Sequence, residues 1–239
     1  MKTLVLDDQA LTAQALAGQI SDHLGSDVLV LHRVADLNIE LIIQHQFDLA
    51  VVDLSFRDET LHGLDALFAL FRHSPTTKLV VHTVGDTHVE RMLRDAWEVL
   101  PIATAVAKGP SAASVTEILK EVYARGSAPM DAVLQPLLPA QRASRPPGMF
   151  ARLVPHLGHA KMWRALFDEP DGAVYTELAS AAGVKVNAMK NYRADVVFEL
   201  GRHHMEQPST REMQEFAKRC RPFLRPYLLA HGLRIPGIE

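Results

Sequence analysis

The chain has 239 residues, 48% of them hydrophobic and 22% charged, which is enough for one large domain or two ordinary ones with full apolar cores. Its single cysteine, Cys220, excludes an internal disulfide and a cysteine-based zinc site, and is typical of a reducing, cytoplasmic setting. No apolar run approaches the ~20 residues of a membrane span. Residues 1–125 carry 10 basic and 17 acidic side chains and residues 149–239 carry 13 and 10, so an acidic module precedes a mildly basic one.

Short apolar runs alternate with amphipathic helical patterns through residue 125. The runs that predict strands are Lys2–Leu6, Val28–Leu31, Leu49–Asp53, Lys78–Thr83 and Ala103–Ala107. The segments that predict the later helices are residues 37–45, 61–71, 87–99 and 111–125, the last with Ser111 as a good N-cap. In the first helix, Leu11, Ala15, Leu16 and Ile20 fall on one face, which we expect to be buried. Five such units predict an α/β fold, a parallel sheet wrapped by helices on both faces.

Polar residues end four of these strands. The carboxyl ends of parallel strands meet at one edge of the sheet, where functional sites lie. Three neighbouring carboxylates repel one another unless a cation lies among them, and oxygen ligands of this kind favour Mg²⁺. One carboxylate is then a nucleophile that forms an acyl phosphate, while a lysine and a hydroxyl hold the phosphoryl group. The residues at the strand ends are Asp7, Asp8, Asp53, Thr83 and Lys108.

This pattern resembles the receiver domains of two-component response regulators. The matching residues are Asp7-Asp8, Asp53-Leu54, Gly63-Leu64-Asp65, His82-Thr83 and Lys108-Gly109-Pro110. The resemblance implies a flavodoxin-like five-stranded fold over residues 1–125. It also implies that a sensor histidine kinase phosphorylates Asp53, with Thr83 and Lys108 assisting. Asp7, Asp8, Asp53 and the main chain of Ser55 would bind Mg²⁺, and no enzymatic activity is expected beyond the receiver's own phosphotransfer and dephosphorylation.

The chain departs from the receiver pattern at several places: Arg57 replaces the usual proline, the loop before Gly63 is about two residues longer than usual, and two further positions bear on signalling. Val84 replaces the small residue that usually follows the threonine, which narrows access to Asp53. Ala105 stands where receivers usually carry a switch aromatic, whose rotation is coupled to movement of the hydroxyl. The sequence therefore leaves the route of signal transmission open, and a receiver that works independently of phosphorylation stays an alternative.

Residues 126–148 contain repeated prolines and glycines, which argue against one continuous helix. This composition predicts a semi-stiff linker between two domains, although Asp131–Leu138 also has enough apolar residues to pack on a neighbour.

Residues 149–239 lack strand alternation and predict an all-α domain. Residues 161–167 form one core-facing helical pattern. In residues 175–192, Ala179, Gly183 and Met189 have the spacing of two short helices that cross closely about a tight turn. The second of these helices, about Val186–Leu200, carries polar side chains that suit a major groove. The candidate DNA-binding residues are Lys185, Asn187, Lys190, Asn191 and Arg193.

The run from Leu153 to Gly201 resembles a LuxR/NarL-type helix-turn-helix output domain. Lys185 and Ala188 depart from the usual serine and threonine, and both changes remove polar groups. The alternative that these helices form an αα-hairpin without DNA-binding function therefore remains. Together the two resemblances predict a transcription regulator that forms a homodimer when phosphorylated and binds DNA. The alternative is an adaptor whose C-terminal helices bind a protein.

The last 38 residues extend beyond the usual end of such a domain. Ser209 and Glu212 form a capping box, and apolar residues that include Cys220 follow at helical spacing. Pro222 and Pro226 predict a break or kink in this helix. From the sequence, this segment is either an extra helix that covers the core or a dimer contact.

Overall fold

A computed structural model gives the fold and describes residues 1–56, 61–109, 112–138, 149–201, 205 and 207–233. It divides into two units, Met1–Ser144 and Arg145–Glu239. Residues 126–138 belong to the first unit. The remainder of the predicted linker, the N-cap at Ser111 and Pro110 lie outside the described residues.

The first unit is built on a five-stranded parallel sheet with strand order β2-β1-β3-β4-β5. This order confirms the predicted flavodoxin-like α/β fold. The strands are β1 (Lys2–Leu6), β2 (Asp27–Leu31), β3 (Leu49–Val52), β4 (Lys78–Thr83) and β5 (Ile102–Ala107). The helices are α1 (Ala10–Leu24), α2 (Ile39–His45), α3 (Gly63–His73), α4 (Thr87–Val99) and α5 (Ala112–Arg125).

Helix α1 buries only part of the predicted face: Leu16 and Ile20 are buried as predicted. Its core residues are Ala13, Leu16 and Ile20, which pack with Val5, Val51 and other residues of the sheet. Leu11 is 85% exposed and Ala15 is exposed, so their assignment to the core was wrong. The helix begins only at Ala10. Leu11 therefore lies in the first turn, at the edge of the sheet rather than above it.

The second unit is all-helical within the residues described, as predicted. Its helices are α6 (Met149–Leu153), α7 (Leu157–Asp168), α8 (Tyr175–Ala182), α9 (Val186–Gly201) and α10 (Thr210–Ala230). Its core is centred on Trp163, which is fully buried and donates through Nε1 to the carbonyl of Leu153 at 2.7 Å. Among the described residues, no helix combines the length and apolar character needed to cross a bilayer.

The C-terminal segment forms one long helix. Ser209 caps α10 by accepting from the backbone N–H of Glu212, as its capping box predicts. The helix runs from Thr210 to Ala230, so a break at the prolines was wrong, while a kink there stays a prediction. Phe216, Cys220 and Leu224 are buried along it, and Phe216 lies 5.8 Å from the ring of Trp163. Helix α10 therefore completes the core of the second unit.

Candidate functional site

The carboxyl ends of β1, β3, β4 and β5 bring the predicted site residues to one edge of the sheet. Asp53 directly follows the central strand β3 and is 4% exposed. The Nζ atom of Lys108, which follows β5, lies 2.8 Å from Oδ2 of Asp53 and 2.7 Å from Oδ2 of Asp7. One ammonium group therefore bridges two carboxylates in a pocket that is largely closed to water, where such charge-assisted contacts are strong.

The donor set fits a divalent cation. Asp7, Asp8 and Asp53 each offer a carboxylate oxygen, and these oxygens lie within 4.8 Å of one another. Three carboxylates and one lysine leave a formal excess of two negative charges. Oxygen ligands at this separation are those that Mg²⁺ prefers. Ser55 contributes its backbone N–H, which bonds to the Asp53 carboxylate beside the N–H of Leu54 at 2.7 Å.

Thr83 brings a hydroxyl to the same edge. Its side chain is fully buried, and among the described residues its Oγ1 has no hydrogen-bond partner. Its carbonyl accepts from the backbone N–H of Lys108 at 2.8 Å, so the ends of β4 and β5 are tied together. A buried hydroxyl without a partner is costly. An incoming phosphoryl oxygen is a group that would satisfy it.

The pKa values of the pair follow from burial and charge. Burial raises the pKa of the Asp53 carboxyl, and the neighbouring Lys108 offsets part of this effect. Burial alone would lower the pKa of Lys108, but its contacts with Asp53 and Asp7 outweigh it and leave that pKa raised. Lys108 therefore stays charged, and it promotes the ionised form that Asp53 needs to act as a nucleophile.

Two residues beside this site were named in the sequence pattern without a role. Gly63 begins α3 directly behind Asp53, and a Cβ there would lie 1.7 Å from the backbone oxygen of Asp53. His82 precedes Thr83 and points to the opposite face of the sheet, as period-two alternation requires. Burial, followed by the charge of Lys108, lowers the pKa of His82 to about 4. The close approach of Gly63 and the lowered pKa of His82 both depend on packing between distant parts of the chain, which the sequence did not reveal.

The predicted recognition helix is α9, and it follows α8 through a tight turn at Gly183. This glycine adopts φ +64°, a conformation that favours glycine, and its N–H caps α8. Ala179 and Met189 are buried, as the predicted crossing of the two helices requires. Four of the five candidate DNA-binding side chains are exposed, namely Lys185, Asn187, Lys190 and Asn191.

The fifth candidate, Arg193, has an intramolecular role. Its Nε and Nη2 atoms donate to the carbonyl of Pro208 at 3.2 Å and 2.7 Å. The structure therefore directs this guanidinium toward the segment that leads into α10. Sequence reasoning missed this role because the acceptor lies 15 positions further along the chain.

No family model matches this chain, and no curated protein matches it. Solved structures do. RcsB, in a structure of two RcsB dimers bound to two parallel DNAs, is 14% identical over 92% of this chain and 98% of its own, with a TM-score of 0.50. The isolated REC domain of RcsB from Salmonella enterica serovar Typhimurium is 18% identical over 58% of this chain and 99% of its own, with a TM-score of 0.49.

A two-component response regulator of the LuxR family from Aurantimonas sp. SI85-9A1 is 16% identical over 56% of this chain and 92% of its own, with a TM-score of 0.48. At such identities a likeness shows the fold, and the RcsB match with a TM-score of 0.50 extends over both units of this chain. The chain therefore has the fold of RcsB, with an α/β unit followed by an all-helical unit.

Proposed function

We propose that this protein is a response regulator whose Asp53 accepts a phosphoryl group from a sensor histidine kinase, and whose α9 binds DNA under the control of that group. The observation that carries the proposal is the Lys108 ammonium, 2.8 Å from Asp53 and 2.7 Å from Asp7, beside the third carboxylate of Asp8. This arrangement provides a nucleophile, a cation for the phosphoryl oxygens and a set of metal ligands in one pocket.

The transfer is a displacement at phosphorus. An oxygen of the Asp53 carboxylate forms a bond to the phosphorus of a phosphohistidine, and the P–N bond breaks. The histidine nitrogen keeps the electron pair and takes a proton. Asp7, Asp8, Asp53 and the main chain of Ser55 would hold Mg²⁺, which when bound neutralises charge on the phosphoryl oxygens. Lys108 pairs with one of these oxygens and the Thr83 hydroxyl donates to another.

DNA binding is supported by the exposed side of α9. Lys185 and Lys190 supply positive charge for phosphates, while Asn187 and Asn191 supply amide groups that can donate to and accept from base edges. A dimer of the phosphorylated form would place two such helices on two half-sites, since paired recognition helices read paired half-sites.

A second candidate function is supported by one feature of the same helix. Phe198 is 68% exposed near the end of α9, with Asp195 three residues before it and Glu199 directly after it. An exposed aromatic beside carboxylates suits a protein partner better than DNA. In this alternative the second unit is an adaptor that binds a protein.

The test is capture of genomic DNA fragments with the beryllofluoride-loaded protein in Mg²⁺, followed by affinity measurements on a captured fragment at several salt concentrations. We expect affinity to fall steeply with salt, and Lys190→Ala to weaken binding and lower the salt slope by about one. Arg211→Ala, which removes an exposed charge from α10, is the matched control and should leave the slope unchanged. Equal affinity for all fragments, with no effect of Lys190→Ala, would favour the adaptor.

A further inference from the structure

Residues 128–138, defined here as the latch segment, lie along the free edge of the sheet. The backbone N–H of Ala128 donates to the carbonyl of Ala103 at 3.3 Å, and that of Asp131 donates to the carbonyl of Ala105 at 3.0 Å. The hydroxyl of Thr104 donates to the carbonyl of Pro129 at 3.0 Å. Strand β5 is an edge strand, and an uncovered edge presents unpaired backbone groups. The latch segment occupies this edge.

Asp131 fixes the middle of the latch segment. Its Oδ2 accepts from the backbone N–H of Ala107 at 3.3 Å, and its Oδ1 accepts from the N–H of Val133 at 2.9 Å. One carboxylate therefore joins the last residue of β5 to the turn that follows in the latch segment. Ala107 directly precedes Lys108, so the contact between Asp131 and Ala107 lies one residue from the candidate site.

The end of the latch segment packs against the loop between β4 and α4. Leu134 is fully buried, and its Cδ2 lies 2.5 Å from the place where a Cβ on Gly85 would be. Gly85 adopts φ +74° and lies two residues after Thr83. Further on, the carbonyl of Leu137 accepts from Nε of Arg94 in α4 at 2.7 Å. The latch segment thus contacts β5, α4 and the loop that follows Thr83 at the end of β4.

The order of the strands determines how a change at Asp53 can reach the latch segment. Asp53 follows β3, Thr83 ends β4, and the latch segment lies beyond β5. A phosphoryl group on Asp53 that accepts from the Thr83 hydroxyl draws the start of this loop toward β3. Because β3 and the latch segment lie on opposite sides of β4, the same movement would take Gly85 away from Leu134. The apolar contact of Leu134 with the loop at Gly85 would then be lost.

We propose that phosphorylation of Asp53 releases the latch segment from β5 and the β4–α4 loop, and that this release carries the signal toward the output domain. This inference rests on the proposed function, and it supplies a route that needs no switch aromatic at Ala105. Release leaves backbone groups along the edge of β5 without the partners that the latch segment supplies. It also frees the connection that leads from residue 138 to the second unit.

The test is amide hydrogen exchange of the full-length protein, followed at peptides that span residues 126–138, with and without Mg²⁺ and beryllofluoride. We expect slow exchange of the Ala128 and Asp131 amides without the phosphate mimic and fast exchange with it. Leu134→Ala should speed this exchange about thirtyfold or more without any mimic, because a buried leucine side chain is lost. Val133→Ala, which removes a neighbouring side chain that is 60% exposed, is the control and should exchange like the wild type.

Fluorine NMR of the bound mimic separates the two ways in which the proposal can fail. Bound beryllofluoride with unchanged exchange at residues 126–138 would overturn the latch and leave the phosphoacceptor role of Asp53 intact. Failure of beryllofluoride to bind in Mg²⁺ would overturn the proposed function and the latch with it. Equal exchange in Leu134→Ala and Val133→Ala would also overturn the latch, because Leu134 would then not anchor the segment.

Discussion

Replacement of Gly63 with alanine tests how closely α3 approaches the residue that carries the candidate nucleophile. A Cβ at this position would lie 1.7 Å from the backbone oxygen of Asp53, 2.7 Å from its carbonyl carbon and 2.8 Å from Cα of Leu54. Ordinary contact begins at 3.4 Å, so the backbones must separate by roughly 1.7 Å. All three neighbours are main-chain atoms, and no side-chain rotation relieves the overlap.

The expected cost is about 2–3 kcal/mol, the upper part of the range for overpacked cores. With a urea m value of ~2 kcal/mol/M, the midpoint of the transition of the first unit falls by about 1–1.5 M. Gly18→Ala is the matched control, because Gly18 is exposed within α1 and a Cβ there meets nothing within 4 Å. That variant should gain ~0.5–1 kcal/mol from helix propensity.

Circular dichroism during urea unfolding measures both effects. A lower midpoint for Gly63→Ala and a higher one for Gly18→Ala would confirm the close approach. Equal midpoints for Gly63→Ala and the wild type would refute it. Because the overlap falls on the backbone of Asp53 itself, Gly63→Ala should also lose phosphoryl acceptance, whereas Gly18→Ala should keep it.

Three further variants test separate parts of the structure. The pKa of His82 is about 4 in the folded chain and 6.5 in the unfolded chain, so the unfolded chain binds a proton first as the pH falls. The free energy of unfolding therefore decreases by about 3 kcal/mol between pH 6.5 and pH 4, and urea unfolding at several pH values should show a smaller decrease in His82→Leu. Gln214→Leu removes the acceptor of the Gly172 N–H and one of the two donors to the Pro170 carbonyl. Thermal unfolding should show a loss of about 2 kcal/mol that Gln14→Leu, at an exposed site, does not. Arg193→Ala should destabilise the second unit by about 1–3 kcal/mol, yet leave the salt slope of DNA binding unchanged, unlike Lys190→Ala.

Local pattern was enough to predict the fold of the first unit. Each strand there is an apolar run of four to six residues, and parallel order follows from the helices between them. The same order brings Asp7, Asp53, Thr83 and Lys108 to one edge, so their convergence was predictable without contacts. This inference depends only on where strands end.

Residues whose partners lie far along the chain were predicted poorly. Helical periodicity placed Leu11 in the core together with Leu16 and Ile20. Periodicity does not show where the sheet ends, and Leu11 is exposed. The length of α10 through Pro222 was missed because packing against α7 outweighs local preference. Arg193 was assigned to a DNA contact because its acceptor, Pro208, lies 15 positions away. Packing of Asp131–Leu138 was left open and is confirmed for Leu134, but its neighbour Gly85, 49 positions away, was not predicted.

The measurement that tests the central claim most directly is the intact mass of the protein after incubation with acetyl phosphate. The account predicts a mass increase of one phosphoryl group that requires Mg²⁺ and disappears in hydroxylamine, as an acyl phosphate does. The increase should be absent in Asp53→Asn and present in Asp48→Asn, which changes an exposed carboxylate before the same strand. An unchanged mass increase in Asp53→Asn, or a wild-type increase that persists without Mg²⁺, would contradict the account.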